Sequence, residues 1–315
     1  MSVPPRPVRA EPVEALRGAR TSTGSVRTVA VAALALNAFV WGTSWWPLRY
    51  LQANGLHPLW ATAMIYGAAV AVILIARPRS LLQLVRSPSL WVLVLAAGTT
   101  NASFNWGVVV GDVVRVLLLF YLMPLWAVLL ARLLLDEPIT PHAGARVLLA
   151  LGGAAIVLWP ADGAGLPLPS TLPDWLGVLG GFSFALNNVM LRREAAQPAE
   201  GRALAMFGGG ALVSLGIASV LASQGSAPWP PAPQPGWLAV GALMVVLFLV
   251  GNLALQYGAS RLRASVTAVV MLTEIVFGAV SSLALGAGAL TVPLVLGGAL
   301  ILLAALLSAF GPAAH

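Results

Sequence analysis

Ten apolar stretches, each of the length that crosses a bilayer, occupy nearly all of this chain. A hydrocarbon core of about 30 Å needs roughly 20 apolar residues per helix. The stretches run over 28–52, 58–76, 89–110, 113–134, 141–160, 173–191, 203–223, 236–258, 264–286 and 289–310. They predict an all-α integral membrane protein with ten transmembrane helices and no separate soluble domain. The composition, 59% hydrophobic and 9% charged, suits a chain whose outer surface faces lipid.

The arginines sort to alternate sides of these stretches. All 17 basic residues are arginine, and all but Arg49 and Arg115 fall in the N-terminal segment or in alternate connections. Placing that segment in the cytoplasm puts Arg77, Arg79, Arg86, Arg132, Arg146, Arg192, Arg193, Arg202, Arg261 and Arg263 inside as well. This is the positive-inside pattern. The outer connections carry Asp112, Asp162 and Asp174, or no charge, and 224–236 is polar and Pro-rich. Trp45, Trp46, Trp60, Trp159, Trp175, Trp229 and Trp237 fall at outer ends, where an interfacial belt belongs. Both termini are then cytoplasmic. Residues 1–27, rich in Pro and Arg, read as a disordered tail. The first apolar run is too long for a signal peptide and leads directly into another span. The location expected is the bacterial inner membrane, multi-pass, with the lipid bilayer as partner.

The net charge of +7 follows from topology and implies no nucleic acid. The absence of cysteine excludes disulfides, thiolate metal sites and a cysteine nucleophile. Without lysine there is no phosphate-binding Gly-x-x-x-x-Gly-Lys loop, so ATP is not expected to be a partner. His57, His142 and His315 have no metal-ligand spacing, and no cofactor is expected.

Five stretches lie on each side of about residue 165, dividing the chain into repeats at 28–165 and 166–315. Trp41-Gly42-Thr43-Ser44 and Pro47–Tyr50 align with Phe184–Asn187 and Met190–Arg193, and Leu119–Leu135 aligns with Val270–Gly286. Glu137-Pro138-Ile139-Thr140 then meets Gly288-Ala289-Leu290-Thr291. Five is odd, so the second repeat enters from the opposite side. Inverted repeats with a binding site near the midplane recur among secondary transporters.

The WGTS run at 41–44, the LFYLMPLWAVLLARLLLDEPIT run at 119–140 and the LTEIVFGAVSS run at 272–282 resemble the drug/metabolite transporter superfamily, in its EamA-type ten-helix branch. The resemblance covers about residues 30–310. It implies two inverted five-helix repeats around a central cavity, and transport, often export, of amino acids or other small metabolites. In the family the second repeat usually ends its fourth span with a Gly-Glu pair; here that position is Gly288.

Polar residues within the spans nominate the site. Glu274 lies near the midplane, where a carboxylate costs about 2.5–3.5 kcal/mol on insertion scales. It must face a cavity, pair, or stay protonated, and proton coupling is one reading; packing by a buried hydrogen bond is the other. Arg115 is read either as the recogniser of an anionic substrate group or as a snorkelling side chain paired with Asp112, three residues earlier. Asn101 and Asn105 are four apart and share a helix face beside Trp106. Trp41, Tyr121 and Asn187 complete the expected central cavity, with Asn37, Asn188, Asn252 and Gln256 as further polar candidates. Pro124 is expected to kink its helix. Asp136, Glu137 and Arg132 form a solvated loop or a cytoplasmic gate that pairs with Arg261 or Arg263.

These features predict a secondary transporter of a small-molecule substrate, not an enzyme. The rival is an integral-membrane enzyme or accessory protein acting on lipid-linked substrates. It lacks the acidic or histidine cluster such chemistry needs near one leaflet.

Overall fold

The structure is a computed structural model that describes residues 13–160, 165–259, 261–262 and 264–310. Residues 1–12 of the predicted tail lie outside the described residues, as do Asp162 and Arg263. Among the described residues every regular element is a helix: α1 (Val13–Thr43), α2 (Trp45–Ala53), α3 (Pro58–Ala76), α4 (Arg79–Arg86), α5 (Pro88–Val110), α6 (Val113–Phe120), α7 (Met123–Leu135), α8 (Pro141–Val157), α9 (Leu172–Arg193), α10 (Ala199–Ser223), α11 (Pro235–Ala259), α12 (Ala264–Met271), α13 (Thr273–Ala284) and α14 (Val292–Phe310). The first helix begins at Val13, within the segment read from sequence as a tail.

Among the described residues six helical segments are long and apolar enough to cross a membrane: Val26–Ala53, Pro58–Ala76, Pro88–Val110, Val113–Leu135, Ala199–Ser223 and Pro235–Ala259. Pro141–Val157, Val269–Ala284 and Val292–Leu307 are apolar but shorter. α9 carries Asp174, Arg192 and Arg193 at its ends. The chain is a multi-pass membrane protein. Ile75, Leu133, Leu148 and Val292 are more than 70% exposed, as side chains facing acyl chains should be.

Local sequence sets the helix limits. Pro58, Pro88 and Pro141 occupy first turns, where a missing amide costs nothing. Asp112 caps α6 by accepting from the Arg115 amide at 2.9 Å, and Thr140 caps α8 through the Ala143 amide at 3.2 Å. Two interruptions follow from prolines. Pro47 clashes with the turn before it and separates α2 from α1 at Ser44; Pro124 does the same at Tyr121 and Leu122, between α6 and α7. The expected kink at Pro124 is therefore a full break. A third break, at Leu272 between α12 and α13, has no proline. There the Thr273 hydroxyl donates to the Val270 carbonyl at 2.6 Å, competing with the helical ladder.

Packing is by close pairs. α5 lies against α9 and α10, α10 against α3, α8 against α14, α11 against α1 and α3, and α9 against α6 and α7. α13 packs on both α1 and α6. Glycine makes two of these approaches possible. A Cβ on Gly153 would lie 2.6 Å from the Gly297 carbonyl, and one on Gly297 would lie 2.5 Å from that of Gly153. Gly98 and Gly209 meet in the same way between α5 and α10. Gly152 and Gly208, in the same glycine runs, have open space beside them and make no such contact.

The tryptophan belt is smaller than the sequence suggests. Trp46, Trp159, Trp175 and Trp229 are more than half exposed, but Trp45, Trp60 and Trp237 are buried. Trp45 donates to Ser281 at 2.9 Å, joining α2 to α13, and Trp60 to the Pro228 carbonyl at 3.1 Å, tying α3 to the loop before α11.

Candidate functional site

Glu274 stands in the first turn of α13, 7% exposed. Its Oε2 lies 3.2 Å from the Tyr121 hydroxyl, and that hydroxyl lies 3.2 Å from the Met271 carbonyl. Tyr121 sits at the α6–α7 break, so the two interrupted helices meet at this pair. The hydroxyl has one hydrogen and two acceptors before it. A proton on Glu274 resolves the shortage: the carboxylic acid donates to Tyr121, and Tyr121 donates to Met271. α1 crosses at the same point. A Cβ on Gly42 would lie 2.5 Å from the Glu274 carbonyl and 2.9 Å from the Phe277 Cβ.

A chain of aromatic rings extends from this pair through the core. Tyr121 neighbours Phe120 at 6.1 Å between centroids, and Phe120 contacts Phe104 at 5.1 Å and Phe184 at 5.3 Å. Phe104 meets Trp41 edge-on at 5.8 Å. Trp41 stacks on Phe248 at 4.7 Å, and Phe248 contacts Tyr66 at 5.6 Å. Such pairs each add about 0.5–1.5 kcal/mol beyond burial. Trp41, Tyr121 and Glu274 thus share one cluster drawn from α1, α3, α5, α6, α9, α11 and α13.

Of the amides, Asn101 bonds a ring of the cluster directly. Asn101 accepts from the Tyr66 hydroxyl at 2.6 Å and donates to the Ala97 carbonyl at 2.8 Å. Asn105, fully buried, donates to Thr62 Oγ1 at 3.1 Å. Asn37, also fully buried, donates to the Gly251 carbonyl at 2.8 Å. Asn187 is buried on α9 with a long 3.5 Å contact to Asn188. The oxygens of Asn37, Asn105 and Asn187 have no partner. Asn252 and Gln256 bond each other at 2.6 Å on α11. Trp106 stands apart, edge-on to His57 at 5.4 Å. A groove of about 520 Å³ between α5 and α10 is walled by Trp91, Leu95, Leu212, Ile217 and other apolar side chains. It contains none of the expected site residues.

Arg115 lies away from this cluster, at the end of the molecule read as outer. Its Nε and Nη2 grip both oxygens of Asp174, at 2.6 and 3.2 Å, and Nη1 donates to the Val157 carbonyl at 2.7 Å. Asp174, not Asp112, is its partner; Asp112 is occupied with capping α6 and accepting from the Ala289 amide at 3.1 Å. Arg49 is engaged likewise. It donates to the carbonyls of Val108, Val109 and Gly111, closing the C-terminus of α5.

At the opposite end Glu137 pairs with Arg192, in the last turn of α9. The expected partner Arg261 instead lies over the Tyr257 ring, 3.8 Å from its centroid, and Arg263 lies outside the described residues. Sequence reasoning missed Tyr66, Phe104, Phe120, Phe248, Thr62 and Asp174. Only Asp174 had a visible signal, as an acid beside the membrane with Arg115 at the same predicted outer end. A phenylalanine facing the core and one facing lipid look alike in sequence.

Residues 28–159 match the model of the EamA-like transporter family. Over these residues the chain is similar to EamA-like transporters, a family of the drug/metabolite transporter superfamily. No curated protein matches it significantly. Fifteen solved chains do match in structure. One, described only as the crystal structure of a protein, is 23% identical, with a TM-score of 0.55 over 90% of this chain and 95% of its own. That likeness establishes a shared fold. The EamA match ends just beyond α8, so α9–α14 are tied to it through their packing alone.

Proposed function

We propose that this EamA-like protein is a secondary transporter that exports a small metabolite, an amino acid or similar, across the bacterial inner membrane by alternating access. The observation that carries the reading is the Tyr121–Glu274 contact, where one broken helix from each half of the chain meets the other. Transporters place substrate and coupling-ion sites at such interrupted helices.

Ten crossings in two inverted five-helix repeats, with both termini cytoplasmic, are supported by the arginine pattern and by the packing. Exchanging each segment with the one five later turns the α5–α9 contact into α11–α1, and the α6/α7–α9 contacts into α12/α13–α1. The same exchange turns α5–α10 into α11–α3 and leaves α8–α14 and α3–α10 unchanged. The aligned breaks at Tyr121 and Leu272 fit it too. The central cavity would open among Trp41, Asn101, Asn105, Tyr121, Asn187 and Glu274 as one repeat rocks against the other. Trp106 and Arg115 would act at its outer edge, Arg115 by holding α6 to α9. Proton coupling through Glu274 agrees with the hydroxyl that has two acceptors to serve.

Counterflow uptake into preloaded proteoliposomes, with a labelled panel of amino acids and related metabolites, tests the reading. Saturable uptake is expected. None from folded protein would overturn it. In Glu274→Gln, flux driven by a proton gradient should fall by about tenfold or more; unchanged gradient-driven flux would refute the coupling role.

A further inference from the structure

The charges and hydrogen-bond directions around the central cluster specify what it accepts. Among the described residues from Asp112 onward, Glu274 is the one acid away from the ends of the bundle; the others stand at its outer or inner termini. Both arginines of the outer half are consumed by the fold, Arg49 by three carbonyls and Arg115 by Asp174 and Val157. Neither offers its fork to a substrate carboxylate or phosphate.

The buried amides agree in sign. The Gly251 carbonyl can only accept, so Asn37 presents nitrogen to it and leaves its oxygen free. Thr62 spends its one proton on the Pro58 carbonyl at 2.8 Å, so Asn105 must donate to Thr62, which again leaves an oxygen free. Both side chains are 0% exposed. Each stands close in sequence to a ring of the cluster. Asn37 is one helical turn before Trp41, and Asn105 is adjacent to Phe104, which joins Trp41 to Phe120 and Tyr121. Once Glu274 gives up its proton, its carboxylate and the oxygens of Asn37 and Asn105 are all acceptors, in a core whose ring faces attract cations.

We propose that the site takes an organic amine of net positive charge, its ammonium held by Glu274 and its apolar part against Trp41, Phe104 and Phe248. This rests on the transporter reading above and narrows it: zwitterionic amino acids and organic anions are disfavoured, because none of the described residues of the cluster neutralises a carboxylate. The buried carboxylate discriminates because leaving it without a counter-charge, or facing another anion, costs far more than in water.

Three probes that differ in charge around one phenyl group decide the matter: phenylethylamine, L-phenylalanine and 3-phenylpropanoate. Each is titrated onto the purified full-length protein in lipid nanodiscs, and each is used as cargo in counterflow. Phenylethylamine should bind at least about tenfold more tightly than either of the others. Glu274→Gln should remove that preference, and Glu274→Asp should restore part of it. Equal or tighter binding of L-phenylalanine or 3-phenylpropanoate, or no binding of phenylethylamine, overturns the proposal, and the wild-type ranking alone suffices if the variants fail to fold. Counterflow of L-phenylalanine without amine binding would sink the amine assignment and leave the transporter standing. Amine binding without counterflow of any probe would do the reverse.

Discussion

Arg115 and Arg49 are the arginines that depart from the inward bias, and each is held by a specific fold contact. A cation at that end of the bundle is held where a carboxylate or a row of helix-end carbonyls meets it. For Arg115 that partner is Asp174, 1% exposed. Breaking a buried pair by removing one member costs about 3–5 kcal/mol. Arg115 is one-third exposed, so solvent screening reduces the expected loss for Arg115→Ala to about 2 kcal/mol. Thermal unfolding in detergent should show Arg115→Ala and Asp174→Ala lowering the midpoint alike, with the double variant little worse than either. Additive losses would mean the two act separately. His57 makes a second prediction at this scale. Its Nδ1 accepts from the Leu59 amide at 3.3 Å, which requires a neutral ring, and burial holds the imidazole below its ordinary value of 6.5. A folded pKa below the unfolded one means the contribution is complete above the unfolded value and is lost as pH falls through the folded one. Stability should therefore decline as pH falls below the ordinary imidazole value of 6.5, and His57→Asn, which keeps a capping acceptor without a titrating ring, should flatten that decline. An identical pH profile in the variant would remove His57 from the account.

Among the elements, sequence showed that a proline bends the stretch 113–134 but not that 264–286 breaks at the aligned place. Pro124 announces itself; the Leu272 break comes from a threonine turning back on its own helix, a choice the neighbouring chain decides. Helix pairing was equally hidden. Gly208 and Gly209 are indistinguishable as letters, yet only Gly209 meets another backbone, at Val94 and Gly98. Gly209→Ala should destabilise by about 1–3 kcal/mol through overpacking, against a gain of up to about 1 kcal/mol for Gly208→Ala from helix propensity. Comparing the two unfolding midpoints checks the α5–α10 contact, and equal shifts would contradict it.

For the whole molecule the open quantity is orientation, and the cysteine-free sequence makes it directly measurable. Leu166→Cys and Ser226→Cys, both at exposed positions, should react with an impermeant maleimide from outside intact cells. Ala196→Cys should react only after permeabilisation. Labelling of Leu166→Cys and Ser226→Cys from opposite sides would break the ten-crossing topology. By itself the sequence determined the solvent and the class of fold: apolar runs of bilayer length and arginines in alternate connections are one-dimensional patterns, and lipid leaves helices as the way to satisfy their backbones. It also nominated Glu274, because a lone acid in an apolar run stands out without any structure. Tertiary structure alone decided that Glu274 faces Tyr121, that Arg115 grips Asp174 and that Glu137 meets Arg192. These contacts span 55 to 153 residues. Which distant side chains meet depends on the direction each helix face takes in the packed bundle, and hydropathy does not record that direction.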